Sequence, residues 1–303
     1  MSLTRRNVLT GISSLALAPL IKASPSIPKS TRPKTTRICF FTDAHVPAPA
    51  PGDPEPEKTT RHWLRVRKAF DKANSFNPSL FVFGGDNIMA VDQGQPEEHA
   101  HAMFDNWAKI VRDKVTTPHV SVIGNHDIWY PKDATVIDRK SLAKQAYQMP
   151  YRYHSIEALR WKFMLLDQFM PGAPTAIDKE QFAWLDTELG KTNKPVCLVS
   201  HAPFFGPSCQ IDGDPVGGKK ELRALLQKHD NVRLALSGHQ HWLDKCELDR
   251  VTYLCGGAVS AAWWGGIYEG FPPAFTILDL NSDGTFKSET VYWETKPGEP
   301  GIQ

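Results

Sequence analysis

Apolar residues are not spread evenly along this chain. Short runs recur at 37–41, 80–83, 119–123, 161–166, 196–200 and 232–236, each closed by polar residues. Runs of this length, rich in Val, Ile, Leu and Phe, predict buried strands. The longer stretches between them carry a helical period. In 60–76, Trp63, Val66, Phe70 and Ala73 fall on one face. Helices are predicted likewise over 97–114, 178–189 and 218–228, with Phe182 and Leu185 turned inward in the third of these four. After residue 242 short strands predominate, at 243–248, 251–255, 274–280 and 287–293. Asp249-Arg250 and 281–284 are the turns between them. Strands alternating with helices predict an α/β fold. The strand-rich C-terminal part predicts that its sheet is not purely parallel.

The first 25 residues follow a different pattern. Arg5 and Arg6 precede a short apolar stretch from Gly11 to Ile21, and small residues follow at Ala23-Ser24. A basic start, a short apolar stretch and a small-residue cleavage site are the marks of an export signal. The arginine pair makes it a twin-arginine type, read by that export machinery. Pro19 interrupts the stretch, which is too short to span a bilayer. The polar, Pro-rich segment 26–36 reads as a linker, and 37–303 as one domain. Its motif-bearing core is 37–242 and its strand-rich C-terminal part 243–295. The expected location is the periplasm or the exterior, with no transmembrane segment in the mature chain.

Charge changes the picture only by exclusion. The full chain carries 35 basic and 33 acidic residues. Cleavage would remove Arg5, Arg6 and Lys22 and no acid, leaving a net charge of −1 on the mature chain. No basic stripe is present for a nucleic-acid backbone, so stable nucleic-acid binding is not expected. The five cysteines are odd in number and form no Cys-x-x-Cys pair, so neither a zinc ribbon nor a full disulfide framework is indicated. Cys39 and Cys197 lie in apolar runs and read as small core residues.

The candidate chemistry collects where the predicted strands stop. Asp43 and His45 follow the first strand, Asp86 the second, Asn125 and His126 the third. His201 follows 196–200, and His239 and His241 follow 232–236. Five of the eleven histidines sit at these points. The edge at the carboxyl ends of strands is where open α/β sheets bind ligands. The pairs Asp43/His45 and His239/His241 are two residues apart, so in extended backbone both side chains of a pair would face one way and grip one metal centre. Carboxylate, imidazole and amide oxygens suit iron, manganese, zinc or cobalt without any thiolate.

In order, these clusters read Asp-x-His, Gly-Asp, Gly-Asn-His-Asp, His and Gly-His-x-His across residues 37–242. That series resembles the calcineurin-like metallophosphoesterases. Gly256-Gly257-Ala258-Val259-Ser260 and Trp263-Trp264-Gly265-Gly266 resemble the bacterial branch near the class III cyclic-nucleotide phosphodiesterases. The resemblance implies a four-layer α-β-β-α sandwich of two mixed β-sheets with flanking helices. It also implies two transition-metal ions. Asp43, His45 and His241 would hold the first, Asn125, His201 and His239 the second, and Asp86 would bridge them. His126 would be the catalytic acid beside Asn125, with an attacking hydroxide supplied at the metals. The implied substrate is a small-molecule phosphate ester, a diester in preference to a monoester. A nuclease and a catalytically silent binding module are the competing classes.

Met89 departs from two branches of the family. An aspartate stands there in the protein phosphatases, supporting the catalytic histidine, and a metal-binding tyrosine in the purple acid phosphatases. Asp127 and Asp92 are both open as supports for His126. His99 and His101 mimic His-x-His, but they lie in a predicted helix, where residues two apart diverge. They read as solvated, and His62, His119, His154 and His229 receive the same reading. Asp212 and Asp214 read as turn residues. Trp263 and Trp264 fit either a core cap or a stacking surface for a ligand ring.

Overall fold

The structure, a computed structural model, describes residues 35–49, 56–130, 138–169, 176–210 and 219–295. The expected signal and nearly all of the linker lie outside them, as do Asp212 and Asp214. The chain runs β1 (Thr35–Phe41), α1 (Pro56–Asn74), β2 (Leu80–Phe83), α2 (Glu97–Lys114), β3 (His119–Ser121), α3 (Ser141–Ala146), β4 (His154–Ala158) and β5 (Trp161–Leu165). It continues with α4 (Lys179–Gly190), β6 (Val196–Val199), a short 3₁₀ turn (Pro207–Gln210), α5 (Lys219–Lys228), β7 (Val232–Ser237), β8 (Leu243–Leu248), β9 (Val251–Gly256), β10 (Ala274–Asn281) and β11 (Phe286–Tyr292).

Two sheets form. One has the order β11-β10-β1-β2-β3, the other β4-β5-β6-β7-β9-β8. Both are mixed. Strands β1, β2 and β3 run parallel while β10 and β11 are antiparallel additions. Strands β5, β6, β7 and β9 run parallel while β4 and β8 close the edges antiparallel.

The continuous apolar runs arise because each central strand is covered on both faces. In β1, Ile38 and Phe40 join a core between the two sheets, while Cys39 and Phe41 join one under α1 and α2. Strand β6 divides the same way: Cys197 and Val199 face the first sheet, Val196 and Leu198 face α4 and α5. Strict alternation between two cores gives four layers, helix, sheet, sheet, helix, as the family resemblance implies. The helix-side core is aromatic. Phe41 stacks on Phe70 at 4.4 Å, and Phe83 meets Trp107 edge-on at 4.9 Å. On α1, Val66 and Phe70 are fully buried and Trp63 packs at the margin.

Two elements escape the sequence reading, α3 and β4. Helix α3 has only six residues and buries one side chain. Strand β4 is a half-buried edge strand of mixed character. Neither carries enough period to be recognised.

Candidate metal centre

Five parallel strands deliver their polar ends to one place. Thr42, Asp43 and His45 follow β1, Asp86 follows β2, and Asn125, His126 and Asp127 follow β3. His201 follows β6, and His239 and His241 follow β7. Asp43, His45, Asp86, His201 and His241 are almost completely buried.

The donor atoms fall into overlapping groups. Asp43, His45 and His241 form one, and Asp86, His201 and His239 another, the donors in each within 4.8 Å of one another. His45, Asp86 and His126 form a third. His45 links the first group to the third, and Asp86 links the second to the third. Asp86 Oδ2 lies 3.2 Å from His201 Nε2, 3.8 Å from His45 Nε2 and 4.0 Å from His126 Nε2. Asp43 Oδ1 lies 3.4 Å from His241 Nε2 and 3.9 Å from His201 Nε2.

Three of the rings are oriented from behind. His45 Nδ1 sits 3.3 Å from the Met89 carbonyl, His201 Nδ1 2.8 Å from that of Gly84, and His241 Nδ1 against that of Ala261. A carbonyl at Nδ1 selects the tautomer that leaves Nε2 as the inward donor. The carboxylates are held similarly. Thr42 Oγ1 donates to Asp43 Oδ2 at 2.6 Å, and the His239 N–H donates to the same carboxylate. The His126 N–H donates to Asp86 Oδ1 at 2.9 Å, so Oδ2 is the oxygen that faces the centre.

The backbone overturns one expectation. Asp43, His45, His239 and His241 are not in extended segments: their φ angles are +53°, +41°, +71° and +58°. Asp86 has φ +48°. The pairs converge because the chain turns sharply through left-handed conformations. Such angles cost on the order of 1–3 kcal/mol each and persist only where surroundings fix them. Here the Asp43 N–H donates to the Gly85 carbonyl and the His45 N–H to the Asp86 carbonyl, locking one strand end onto the next. Two glycines make the approach possible. A Cβ on Gly124 would lie 2.1 Å from Asp86 Oδ1, and one on Gly238 2.1 Å from Asp43 Oδ2.

The residues fit a metal. Asn125 Oδ1 is buried without a hydrogen-bond partner. An orphaned acceptor of this kind is costly unless something binds it. The charge balance agrees. Burial disfavours a proton on His201, but Asp86 and Asp43 outweigh it and raise its pKa to about 9. His45, where burial dominates, is pushed down to about 3. The two carboxylates thus set up a negative potential that favours a cation between them.

The support for His126 is settled by geometry. Asp92 Oδ1 lies 3.0 Å from His126 Nδ1. Burial lowers the His126 pKa, but Asp92 and Asp86 overcome that and lift it to about 9. Asp127 does other work. It accepts from the N–H groups of Asp86, Asn87 and Gly124 and from the Tyr147 hydroxyl. His99 and His101 join none of the ligand groups among the described residues. His99 lies against the Ala48 carbonyl and the exposed His101 near Glu97. Of the tryptophan pair, Trp264 is buried and Trp263 exposed. Sequence reasoning missed Thr42, Tyr147 and the Ala261 carbonyl, whose roles come from tertiary placement.

The profile of the calcineurin-like phosphoesterases matches residues 36–243. A probable cyclic nucleotide phosphodiesterase of Synechococcus is 24% identical over 266 residues, covering 86% of this chain and 92% of its own. A 3',5'-cyclic-nucleotide phosphodiesterase of Nostoc is 25% identical over 276 residues, covering 88% and 96%. The crystal structure of a dimetal phosphatase from Danio rerio shares the fold, with a TM-score of 0.59 at 12% identity over 85% of this chain and 99% of that one. With the profile matched across most of its length and the donor groups assembled at its strand ends, the chain belongs to the calcineurin-like phosphoesterases and is a metal-dependent phosphoester hydrolase.

Proposed function

We propose that this enzyme hydrolyses phosphodiesters at a two-metal centre, and that it does so outside the cytoplasm. The observation that carries the catalytic reading is the position of Asp86, whose Oδ2 lies within reach of His45, His201 and His126 together. Asp43, His45 and His241 would hold one ion, and Asn125, His201 and His239 the other, with Asp86 shared. Manganese, iron, zinc and cobalt all suit this donor set. Such ions supply charge neutralisation at phosphoryl oxygens and lower the pKa of water.

The chain's own residues supply orientation and a proton. His126 is tied at Nδ1 by Asp92, so Nε2 faces Asp86 Oδ2 at 4.0 Å. A proton on that nitrogen is placed for the leaving alkoxide, a contribution of roughly 10²–10⁴-fold. The diester reading draws on the cyclic-nucleotide phosphodiesterases of Synechococcus and Nostoc. Hydrolysis of bis-4-nitrophenyl phosphate and 4-nitrophenyl phosphate by manganese- or iron-loaded protein tests it, with Asn125→Ala as control. Faster diester turnover, lost in the variant, is expected. Two bound metals with no turnover of either ester would overturn the catalytic reading, and DNA cleavage without small-diester cleavage would make the enzyme a nuclease.

The export reading rests on Arg5, Arg6 and the short apolar stretch that follows. Changing both arginines to lysine should retain the full-length precursor in the cytoplasm. Unchanged periplasmic recovery of that variant would remove the twin-arginine reading.

A further inference from the structure

Trp263 is a large apolar side chain left 40% exposed at the edge of the centre. Its ring lies 4.4 Å from that of His241 and 5.8 Å from that of His45, centroid to centroid. Tyr268 stands against it edge-on at 5.4 Å. The backbone that presents it is strained: Ala261, Trp263 and Trp264 have φ of +45°, +47° and +73°. It is also pinned. Trp264 Nε1 donates to the His45 carbonyl at 2.9 Å, Arg65 Nη1 to the Trp264 carbonyl at 2.6 Å, and Ser260 Oγ to the Asp43 carbonyl at 2.8 Å. A loop anchored to the carbonyls of two site residues, and strained to hold an indole in water, is organised around that indole.

Beside it opens a cavity of about 440 Å³, lined by Met89, Ala90, Gln93, Gln95, Met103, His126 and Trp263. That volume lies in the range of small-molecule sites, roughly 300–1,000 Å³. Apart from His126 its lining is uncharged. Thioethers pack favourably against aromatic rings, an indole stacks on them, and glutamine amides offer both donors and acceptors to a ring edge. A cation would enter this cavity without a counter-charge on the lining, and an anion would find only His126.

We infer that this cavity is a subsite for an uncharged planar ring carried by the phosphate ester, and that Trp263 is its specificity-determining residue. The inference rests on the phosphoesterase centre proposed above. His126 lies both at that centre and in the cavity wall, so the ring belongs to the side of the ester that His126 faces. An aryl group and a nucleobase share the required chemistry.

Affinity measured by calorimetry separates this proposal from the catalytic one, because it needs no turnover. Two ligand pairs keep the anionic head and differ in the ring: phenylphosphonate against methylphosphonate, and adenosine 5'-monophosphate against ribose 5-phosphate. Manganese-loaded protein should bind the ring-bearing member of at least one pair about tenfold more tightly, the scale of base–aromatic stacking. A gain in both pairs means that any flat ring suffices. A gain only with the nucleotide means that the amide edge reads a base.

Trp263→Ala should abolish the gain, and Trp263→Phe should restore most of it. Inorganic phosphate, which has no ring, reports on the centre itself. Equal affinities within both pairs in the unmodified protein would overturn the proposal. So would a ring preference that survives Trp263→Ala, or losses of equal size for phosphate and phenylphosphonate. Failure to hydrolyse any diester, with the ring preference intact, would count against the catalytic reading alone.

Discussion

Asp92 and His126 stand 34 residues apart in sequence and 3.0 Å apart in the fold, carboxylate oxygen to imidazole nitrogen. The contact aims the other ring nitrogen at the centre. Asp92→Asn keeps the size and loses the charge. Its effect should depend on the leaving group. Nitrophenolate departs without a proton, so turnover of bis-4-nitrophenyl phosphate should fall only a few-fold. An alkyl leaving group needs the proton, and there the loss should approach the roughly 10²-fold expected of a displaced acid. Rates across a series of leaving-group pKa values check this. A uniform loss across the series would reduce Asp92 to a structural contact.

Gly124 and Gly238 are where the carboxylates of Asp86 and Asp43 leave no room. A methyl group on either would overlap a carboxylate oxygen at 2.1 Å. Gly124→Ala should displace Asp86 and Gly238→Ala should displace Asp43. Perturbing the groups that orient ligands typically costs about 10–100-fold in metal affinity. The expected result is a protein that folds, with substoichiometric metal by elemental analysis and activity partly recovered at high manganese. Full metal occupancy in both variants would mean that the strand ends yield more readily than their packing implies.

The division between legible and illegible residues follows from range. Strands such as 80–83 declare themselves as short apolar runs and helices such as 97–114 by local period, and the structure reproduces both. The site residues were legible as punctuation, polar residues placed where apolar runs stop. How the pairs converge was not, because left-handed φ at Asp43 and His241 is imposed by contacts with distant segments. Likewise no local feature separates Asp92 from Asp127 as the partner of His126. The structure separates them by burial: Asp127 is enclosed among backbone N–H groups, while Asp92 remains part-exposed at the rim.

Asp127 should matter to stability before it matters to chemistry. Its carboxylate accepts from the backbone of Asp86, Asn87 and Gly124. Burial and the nearby Asp86 raise its pKa to about 6, against those hydrogen bonds. Asp127→Ala leaves the buried donors unpaired, at about 1–3 kcal/mol each if none finds water. Loss of several kcal/mol by urea unfolding is expected, with loss of metal. Tyr147→Phe removes one hydroxyl donor at 2.7 Å and should cost about 1 kcal/mol while keeping the centre intact. Equal stability of Asp127→Ala and the unmodified protein would show that the strand ends hold each other without it.

The last expectation concerns acid. Glu188 on α4 accepts from Lys162 on β5 at 2.6 Å and from Lys191 at 2.8 Å, and these contacts hold its pKa down at about 2, against 4.5 for an ordinary glutamate. The sign follows from linkage. A folded-state pKa below the unfolded one means that the unfolded chain takes up the proton first as pH falls. The stabilisation is therefore complete above about pH 4.5 and drains away as the pH approaches 2. Its size is about 1 kcal/mol, the scale of a solvent-screened pair. Glu188→Gln should thus be less stable than the unmodified protein at pH 7, and the gap should narrow steadily below pH 4.5. Urea unfolding at pH 7, 4 and 3 measures it. A gap that stays constant across that window would assign the contact to packing of the Lys162 stem between α4 and the sheet and leave no electrostatic share.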